Sequence, residues 1–168
     1  ATMKKVLVVM GSDSDYPVME SCFSQLQQFG IPFEASVCSA HRTPETAATL
    51  AREARDKGFG VIIAAAGLAA HLPVVLAAFT TLPVIGVPIG GGPLNGQDAL
   101  YAIVQMPSGI PVATVAINGA ANAAILAAQI LSVADEALAQ KLTDAKQSMA
   151  EKVAERNARL QVKLGQYK

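Results

Sequence analysis

Residues 39–44 hold the densest group of chemically capable side chains in this sequence. Ser39, His41 and Arg42 lie within four residues, and Thr43 and Pro44 follow directly. An imidazole takes up and releases a proton near neutral pH, and a guanidinium offers a planar fork of donors that suits a phosphate. Because the chain has only two histidines and five arginines, their pairing here predicts a site that grips an anion and moves a proton.

The same segment also allows a purely structural interpretation. Thr43 and Pro44 are residue types favoured at the N-cap and in the first turn of a helix, and Arg42 would then be a solvated loop charge. The choice between the two interpretations depends on the elements that surround the segment.

Short apolar runs alternate with helical patterns along the sequence. Strands are predicted at residues 5–10, 33–37, 61–65, 84–87 and 112–117, and helices at residues 16–29, 44–57, 72–79, 97–104 and 120–133. This alternation predicts right-handed βαβ units, and hence an α/β fold with a five-stranded parallel sheet.

The polar and glycine-rich segments all lie between the end of a strand and the start of a helix. They cover residues 11–15, 39–43, 66–71, 88–96 and 118–119. In a parallel sheet such loops meet at one edge, where ligands bind, and with strand order 2-1-3-4-5 the crevice opens between the first and third strands. Five converging loops favour the functional interpretation of residues 39–44.

Each loop predicts one part of a ligand. Ser12 and Ser14, with free backbone N–H groups at a helix start, suit a phosphate, and the Arg42 guanidinium offers it a second contact. Asp15 would accept hydrogen bonds from sugar hydroxyls, so the ligand is predicted to be nucleotide-like. His41 is the candidate general acid and base, while His71 is a catalyst, a hydrogen-bonding group that shapes the site, or a structural histidine.

Several reaction classes lack their motifs. Neither a Walker lysine motif nor Gly-x-Gly-x-x-Gly is present, which disfavours ATP hydrolysis and dinucleotide chemistry. Two histidines without a third clustered ligand make a poor metal site, and Cys22 and Cys38 are expected to be buried free thiols. What remains is proton transfer in a close-fitting apolar pocket, whose predicted wall consists of Gly67, Ala69, Ala70 and residues 90–92.

Charge and hydropathy limit the partners of the chain. Lys plus Arg and Asp plus Glu each number 13, so no net field attracts nucleic acid or an anionic membrane. The apolar run at residues 6–10 is too short for a signal peptide, and residues 61–79 are broken by Gly67, His71 and Pro73. A cytoplasmic protein without a membrane span is expected. The mean hydropathy of +0.37 indicates that subunit interfaces cover part of the apolar surface.

The last 34 residues differ from the rest, because they hold 12 of the 26 charged side chains. Apolar residues recur there mostly at three- or four-residue spacing, which predicts an amphipathic helix roughly 40 Å long between residues 138 and 164. We expect a catalytic domain at residues 1–134 and a helical extension at residues 135–168 that packs on a neighbouring subunit. The alternative is a helix that packs on its own subunit and frays at its end.

Five segments resemble the microbial N5-carboxyaminoimidazole ribonucleotide mutases of de novo purine synthesis, in unbroken order over residues 5–135. They are Gly-Ser-Asp-Ser-Asp (11–15), Ser-Ala-His-Arg-Thr-Pro (39–44), Ala-Ala-His-Leu-Pro (69–73), Val-Gln-Met-Pro-Ser-Gly-Ile-Pro-Val (104–112) and Asn-Ala-Ala-Ile-Leu-Ala-Ala-Gln-Ile-Leu (122–131). The resemblance implies a flavodoxin-like subunit in a homo-octamer, with no metal or organic cofactor.

The resemblance also implies a reaction and a site. The enzyme would be an isomerase that moves a carboxylate from the exocyclic amine of the ribonucleotide to its ring carbon, through transient carbon dioxide. Ser12, Asp15 and Arg42 would hold the ribose phosphate, with Ser39 and Ala40 beside them. His41, with His71, would be catalytic. The carbon dioxide pocket would be bounded by Gly67, Ala69, Ala70 and His71.

Two departures and two rival functions accompany the resemblance. Leu68 and Val74 stand where this family commonly has glycine, and both would add bulk beside the carbon dioxide pocket. One rival is an aminoimidazole ribonucleotide carboxylase that uses dissolved carbon dioxide; Arg42 weakens it, because that branch often has lysine at this place. The other rival is a non-catalytic nucleotide-binding module, which has little use for His41.

Overall fold

The computed structural model describes residues 3–168, in which strands and helices alternate as predicted. The strands are β1 (Lys5–Met10), β2 (Phe33–Val37), β3 (Phe59–Gly67), β4 (Val84–Ile89) and β5 (Ala113–Thr114). The helices are α1 (Tyr16–Gln28), α2 (Pro44–Ala54), α3 (Leu72–Ala78), α4 (Gln97–Val104), α5 (Ala120–Ser132) and α6 (Glu136–Leu164). The strands pair in parallel in the order β2-β1-β3-β4-β5, which confirms the predicted sheet.

The sheet lies between two layers of helices, because its side chains alternate between two faces. On β1, Val6 and Val8 pack with α1 and α5, whereas Leu7 and Val9 pack with α2, α3 and α4. The inner face of α5 consists of fully buried alanines, whose small size allows the helix to approach both α1 and the sheet closely. This is the three-layer, flavodoxin-like sandwich that was expected.

Several element ends differ from the prediction. Strand β3 covers Phe59–Gly67 rather than 61–65, and β4 runs to Ile89 rather than to residue 87. Helix α2 ends at Ala54 rather than near Lys57, and the chain turns at Gly58, whose φ of +90° favours glycine. Strand β5 has only two residues instead of the six predicted at 112–117. Beyond it the chain still runs beside β4, but the Val115 and Asn118 N–H groups donate to β4 at irregular spacing, so the ladder does not continue.

Helix α6 divides into an anchored part and a projecting part. Its N-cap residue Asp135 accepts a hydrogen bond from the Leu138 N–H at 3.0 Å, and Leu138 is completely buried in the core. Lys141 Nζ donates to the Phe29 carbonyl at 3.1 Å. From residue 146 onward every residue is exposed, although the helix runs for 29 residues, or about 43 Å.

Within residues 3–168, no helix combines the length and apolarity that crossing a bilayer requires. The apolar window at residues 61–79 is strand, loop and helix, as expected from its interruptions.

Candidate active site

Four of the five predicted loops enclose one cavity at the carboxyl edge of the sheet. Its volume is about 670 Å³, within the range typical of small-molecule sites. The loops that follow β1, β2, β3 and β4 supply its wall. Nine of the ten predicted site residues line it: Ser12, Asp15, Ser39, Ala40, His41, Arg42, Gly67, Ala69 and His71.

The tenth predicted residue, Ala70, does not line this cavity. It is completely buried and packs in the core between the sheet and α2, α3 and α4. Its neighbours Ala69 and His71 turn to the cavity instead. Direct contact between the Ala70 side chain and a ligand is therefore not supported by its position.

The segment at residues 39–44 is fixed by hydrogen bonds between its own residues. Thr43 Oγ1 donates to the Ser39 carbonyl at 2.8 Å and accepts from the Ser39 N–H at 3.1 Å. Ser39 Oγ accepts from the Arg42 N–H at 3.1 Å. Thr43 does occupy the N-cap position of α2, but its side chain makes no cap hydrogen bond, so the predicted capping role is wrong. It closes the loop that carries His41 and Arg42.

The two histidines meet inside the cavity. His41 Nε2 lies 2.7 Å from His71 Nδ1, a hydrogen-bond distance, and the rings are nearly perpendicular at 76°. The backbone N–H of His71 donates to the Ala69 carbonyl at 2.9 Å, which fixes the main chain at this residue. The pair joins the β2–α2 loop to the β3–α3 loop across 30 residues of sequence.

The hydrogen bond between the rings limits how many protons the pair can hold. Each neutral imidazole has one N–H and one bare nitrogen, so one ring donates and the other accepts. One added proton fits on an outer nitrogen with the bond intact. A second added proton would place N–H groups on both facing nitrogens and break the bond. While they remain bonded, His41 and His71 therefore store at most one extra proton.

Arg42 presents an unpaired charge to the cavity. Among residues 3–168 its guanidinium forms no hydrogen bond or ion pair, and its backbone alone is tied to Ser39. The side chain lies in the cavity wall. A guanidinium in that position is available for a bidentate contact with a phosphate or carboxylate.

The β1–α1 loop is more internally bonded than predicted. The N–H of Ser14 donates to Ser12 Oγ at 3.2 Å, and the N–H of Asp15 donates to the Ser12 carbonyl at 3.2 Å. The expectation of free backbone N–H groups is therefore wrong for Ser14, and the N–H of Asp15 is not free either. The two serine hydroxyls, 2.8 Å apart, remain in the cavity wall as polar groups.

Asp15 is a buried acid at the cavity wall, with 7% of its surface exposed. Burial raises the pKa of its carboxyl; a hydrogen bond from the backbone N–H of Ser12 to the carboxylate opposes this rise, and the negative charge of Asp13 adds to it. Burial thus disfavours the ionised carboxylate. A ligand that contacts this carboxyl would shift its pKa again.

The β4–α4 loop approaches the cavity as bare backbone. Gly90, Gly91 and Gly92 all line the wall. The Gly90 N–H donates to Asn118 Oδ1 at 2.7 Å, and a Cβ on Gly90 would lie 2.9 Å from Asn118 Nδ2, too close for a side chain. The fifth predicted loop, residues 118–119, therefore supports the β4–α4 loop instead of lining the cavity.

Four apolar residues of the wall were not predicted: Val18, Ala66, Leu72 and Ile89. Val18 lies one helical turn after Asp15, and Leu72 directly follows His71. This closeness to predicted site residues was the sequence signal that could have identified them, but apolar side chains beside a turn usually belong to the core. Of the two departures noted in the sequence, Leu68 lines the cavity, whereas Val74 is not in its wall.

The thiols lie outside this chemistry. Cys22 and Cys38 are free and buried, as predicted, and burial raises the pKa of the Cys22 thiol to about 12. Across the described part of the chain, no three His, Cys, Asp or Glu side chains are grouped so that they could hold a metal ion.

Comparison with known proteins gives one family. The model of the AIR carboxylase family matches residues 5–152. The N5-carboxyaminoimidazole ribonucleotide mutase of Pyrococcus horikoshii is 53% identical over 92% of this chain and 87% of its own length. The mutase of Thermotoga maritima is 51% identical over 95% of this chain and 93% of its own length.

A solved structure agrees with the sequence relatives. PurE of Treponema denticola superposes with a TM-score of 0.84 and 32% identity, covering 92% of this chain and 97% of that one. The resemblance seen in the five sequence segments is thereby confirmed. The chain belongs to the AIR carboxylase family.

Proposed function

We propose that the chain is a mutase of purine synthesis, which converts N5-carboxyaminoimidazole ribonucleotide into 4-carboxy-5-aminoimidazole ribonucleotide. The relatives that carry this mutase name share about half of their residues with the chain over most of its length. The observation that carries the proposal is the hydrogen bond between His41 and His71, at 2.7 Å, inside the cavity that also presents the Arg42 guanidinium.

The cavity wall offers complementary groups for the phosphate and the ribose of a ribonucleotide. The unpaired guanidinium of Arg42 binds the phosphate, and the Ser12 hydroxyl adds a hydrogen bond. Asp15 accepts from a ribose hydroxyl, which a carboxyl oxygen does in either protonation state. Ser39 and Ala40 also line the cavity, and the internal hydrogen bonds of Ser39 keep the loop in position.

The reaction consists of two half-reactions with one proton shared between them. In the first, the C–N bond of the carbamate breaks, its electron pair stays on the exocyclic nitrogen, and that nitrogen gains a proton as carbon dioxide departs. In the second, the ring carbon attacks carbon dioxide to form a C–C bond, and the proton on that carbon leaves to restore aromaticity. The net change moves a carboxylate and consumes no proton.

His41 delivers the proton in the first half-reaction and removes one in the second, as a single general acid and base. While it stays bonded, the His41–His71 pair stores at most one extra proton, which matches a cycle that lends one proton and recovers it. His71 also fixes which ring nitrogen of His41 faces the ligand. Between the steps, carbon dioxide occupies the space beside Gly67 and Ala69.

Exchange of His41 tests this assignment. Removing a general acid and base costs about 10²- to 10⁴-fold in rate, so His41→Asn should lose that much conversion while it binds the product nucleotide within a few-fold of the parent affinity. His71→Asn is the matched variant: it should lose less activity and shift the pH–rate profile. Conversion by His41→Asn near the parent rate would show that His41 is not the proton carrier.

A direct aminoimidazole ribonucleotide carboxylase is the second candidate, and the name of the matching family favours it. It requires the same binding groups and the same proton removal from the ring carbon, but its carbon dioxide comes from solution. A non-catalytic nucleotide-binding module would need Arg42 and Ser12 but gives no reason for a hydrogen-bonded histidine pair.

We also propose that the subunits form a homo-oligomer, an octamer by family resemblance, in which α6 packs on a neighbouring subunit as an extension of the 1–134 domain. The buried and the exposed apolar residues of α6 form one stripe at helical spacing: Leu138, Leu142, Ala145, Met149, Val153, Leu160 and Leu164. The exposed edge strand β2, with Val37 55% exposed, is a second apolar surface that association would cover. Two buried free thiols are consistent with a reducing cytoplasm.

Light scattering tests the oligomer. Val153→Glu together with Leu160→Glu places charges on the exposed stripe, and the native molar mass should fall. Val162→Glu is the matched control, because Val162 is 80% exposed but lies on the opposite face of the helix, and it should leave the mass unchanged. An unchanged mass in the double variant would contradict packing of the stripe on a neighbour.

A further inference from the structure

Leu68 has an unusual conformation for an aliphatic residue at a cavity wall. Its φ is +53°, in the left-handed region that glycine and asparagine usually occupy. The side chain is 55% exposed, so it is not held there by the core, and it lines the cavity. The residue directly follows β3 and precedes Ala69, in the loop that carries His71.

Gly92 provides the space that the Leu68 side chain occupies. A Cβ on Gly92 would lie 2.5 Å from Leu68 Cδ2, closer than real carbon atoms approach each other. Gly92 itself has a φ of +65°, which glycine adopts without strain. Leu68 thus extends from the β3–α3 loop onto the bare backbone of the β4–α4 loop, and the two loops meet through this contact.

We propose that Leu68 closes the cavity over Gly67 and Ala69 and retains carbon dioxide there between the two half-reactions. This inference rests on the proposed mutase function. Carbon dioxide has no net charge and presents little for a protein to hydrogen-bond, so only a steric barrier keeps it within reach of the ring carbon. An exposed leucine that bridges two cavity loops is such a barrier.

Leu68 would therefore control how the released carbon dioxide is divided between two outcomes. After decarboxylation, carbon dioxide either forms the C–C bond or escapes, and escape leaves aminoimidazole ribonucleotide as a released product. The quantity to measure is aminoimidazole ribonucleotide released per carboxylated product formed from N5-carboxyaminoimidazole ribonucleotide, corrected for uncatalysed decarboxylation. Incorporation of ¹³C from labelled bicarbonate, with carbonic anhydrase present, reports the reverse exchange.

Leu68→Gly is the main test variant, because glycine keeps the left-handed backbone without strain and removes the side chain. We expect both the released fraction and the label incorporation to rise about tenfold, the order of effect of removing apolar groups from a pocket wall. Leu68→Met, which keeps the bulk, should remain near the parent. Leu94→Ala is the matched control: Leu94 is also 55% exposed, and it lies in the β4–α4 loop outside the cavity wall.

The possible outcomes distinguish failure of this inference from failure of the proposed mutase function. If the parent converts the carbamate and Leu68→Gly shows the parent's partition and label incorporation, Leu68 does not retain carbon dioxide. An equal rise in Leu94→Ala would also overturn the inference, because the effect would then not depend on the cavity wall. If the parent itself fails to convert the carbamate, the proposed mutase function fails.

Discussion

Within residues 3–168, the carboxyl edge of the sheet and the projecting part of α6 both present groups that have no partner in the same subunit. At the sheet edge these groups are polar and face a concave cavity: the Arg42 guanidinium and the outer nitrogens of His41 and His71. On α6 they are apolar and stand on a convex surface, with Val153 61% and Leu160 50% exposed.

The difference indicates what each region binds. Polar groups around a cavity of about 670 Å³ suit a small charged molecule, which supplies the missing hydrogen bonds. Apolar groups along a helix offer no such specificity, and only another extended apolar surface removes them from water. We propose a second copy of the chain as that surface, because its own α6 presents the same apolar stripe.

The largest expected effect separates the anchored part of α6 from its projecting part. Leu138→Ala removes a completely buried side chain and should lower the free energy of unfolding by about 2 to 5 kcal/mol. Val153→Ala should change it only while subunits are associated, so its effect should vanish on dilution. Urea unfolding at two protein concentrations measures both. A large, concentration-independent loss for Val153→Ala would contradict this division of the helix.

The next effect concerns the polar edge. Arg42→Met keeps much of the side-chain bulk but removes the charge, and loss of a charge-assisted hydrogen bond costs about 1.5 to 3 kcal/mol. Nucleotide affinity measured by calorimetry should therefore fall about 10- to 100-fold.

Arg55→Met is the control for this change, because Arg55 bonds Thr81 Oγ1 at 3.0 Å, outside the cavity wall. It should leave nucleotide affinity unchanged. Equal losses in the two variants would mean that general charge, and not the position of Arg42, determines binding.

A smaller effect follows from Asp15, the buried acid of the polar edge. Its pKa in the folded protein is raised, chiefly by burial, so its favourable contribution to stability is full below the unfolded pKa and is lost as pH rises through the folded pKa. Asp15→Asn should therefore be more stable than the parent at neutral pH, and this advantage should disappear as the pH falls into the acidic range.

Unfolding free energies across the acidic and neutral range measure this difference. The matched variant is Asp56→Asn, at an exposed aspartate outside the cavity wall, which should change stability little at any pH. An Asp15→Asn protein that is less stable than the parent at neutral pH would show that the ionised carboxyl is needed by the fold.

The smallest effect is an absence of reaction. Cys22 is completely buried, and its thiol pKa is raised to about 12 by burial, so a thiol reagent at mildly alkaline pH should not modify it in the folded protein. Both cysteines should react once the chain is unfolded. Modification of Cys22 in the native state, detected by mass spectrometry, would indicate that the layer between α1 and the sheet opens readily.

The alternation of strands and helices predicted the parallel sheet and four of the loops that form the cavity, because it leaves few arrangements of the chain. The flavodoxin-like strand order followed from the resemblance of the five segments to a known family. The sequence also predicted the amphipathic stripe of α6, since residues at three- and four-residue spacing share a helix face. These features depend on local periodicity and on topology.

The finer features of the site depend on contacts that periodicity does not encode. The hydrogen bond between His41 and His71 requires two loops 30 residues apart to meet at 2.7 Å. Ala70 points into the core while Ala69 and His71 face the cavity. The turn after β3 determines these orientations, and a turn has no regular period from which they could be predicted. Thr43 bonds Ser39 in preference to the start of α2, and both partners are equally available to a threonine hydroxyl.

The source of the carboxylate distinguishes a mutase from a carboxylase most directly. The purified protein is mixed with N5-carboxyaminoimidazole ribonucleotide in buffer depleted of bicarbonate, and formation of 4-carboxy-5-aminoimidazole ribonucleotide is followed, with aminoimidazole ribonucleotide supplied in a parallel reaction. We predict rapid conversion of the carbamate at a rate that added bicarbonate does not change. Product formation only from aminoimidazole ribonucleotide, in proportion to added carbon dioxide, would contradict the mutase function.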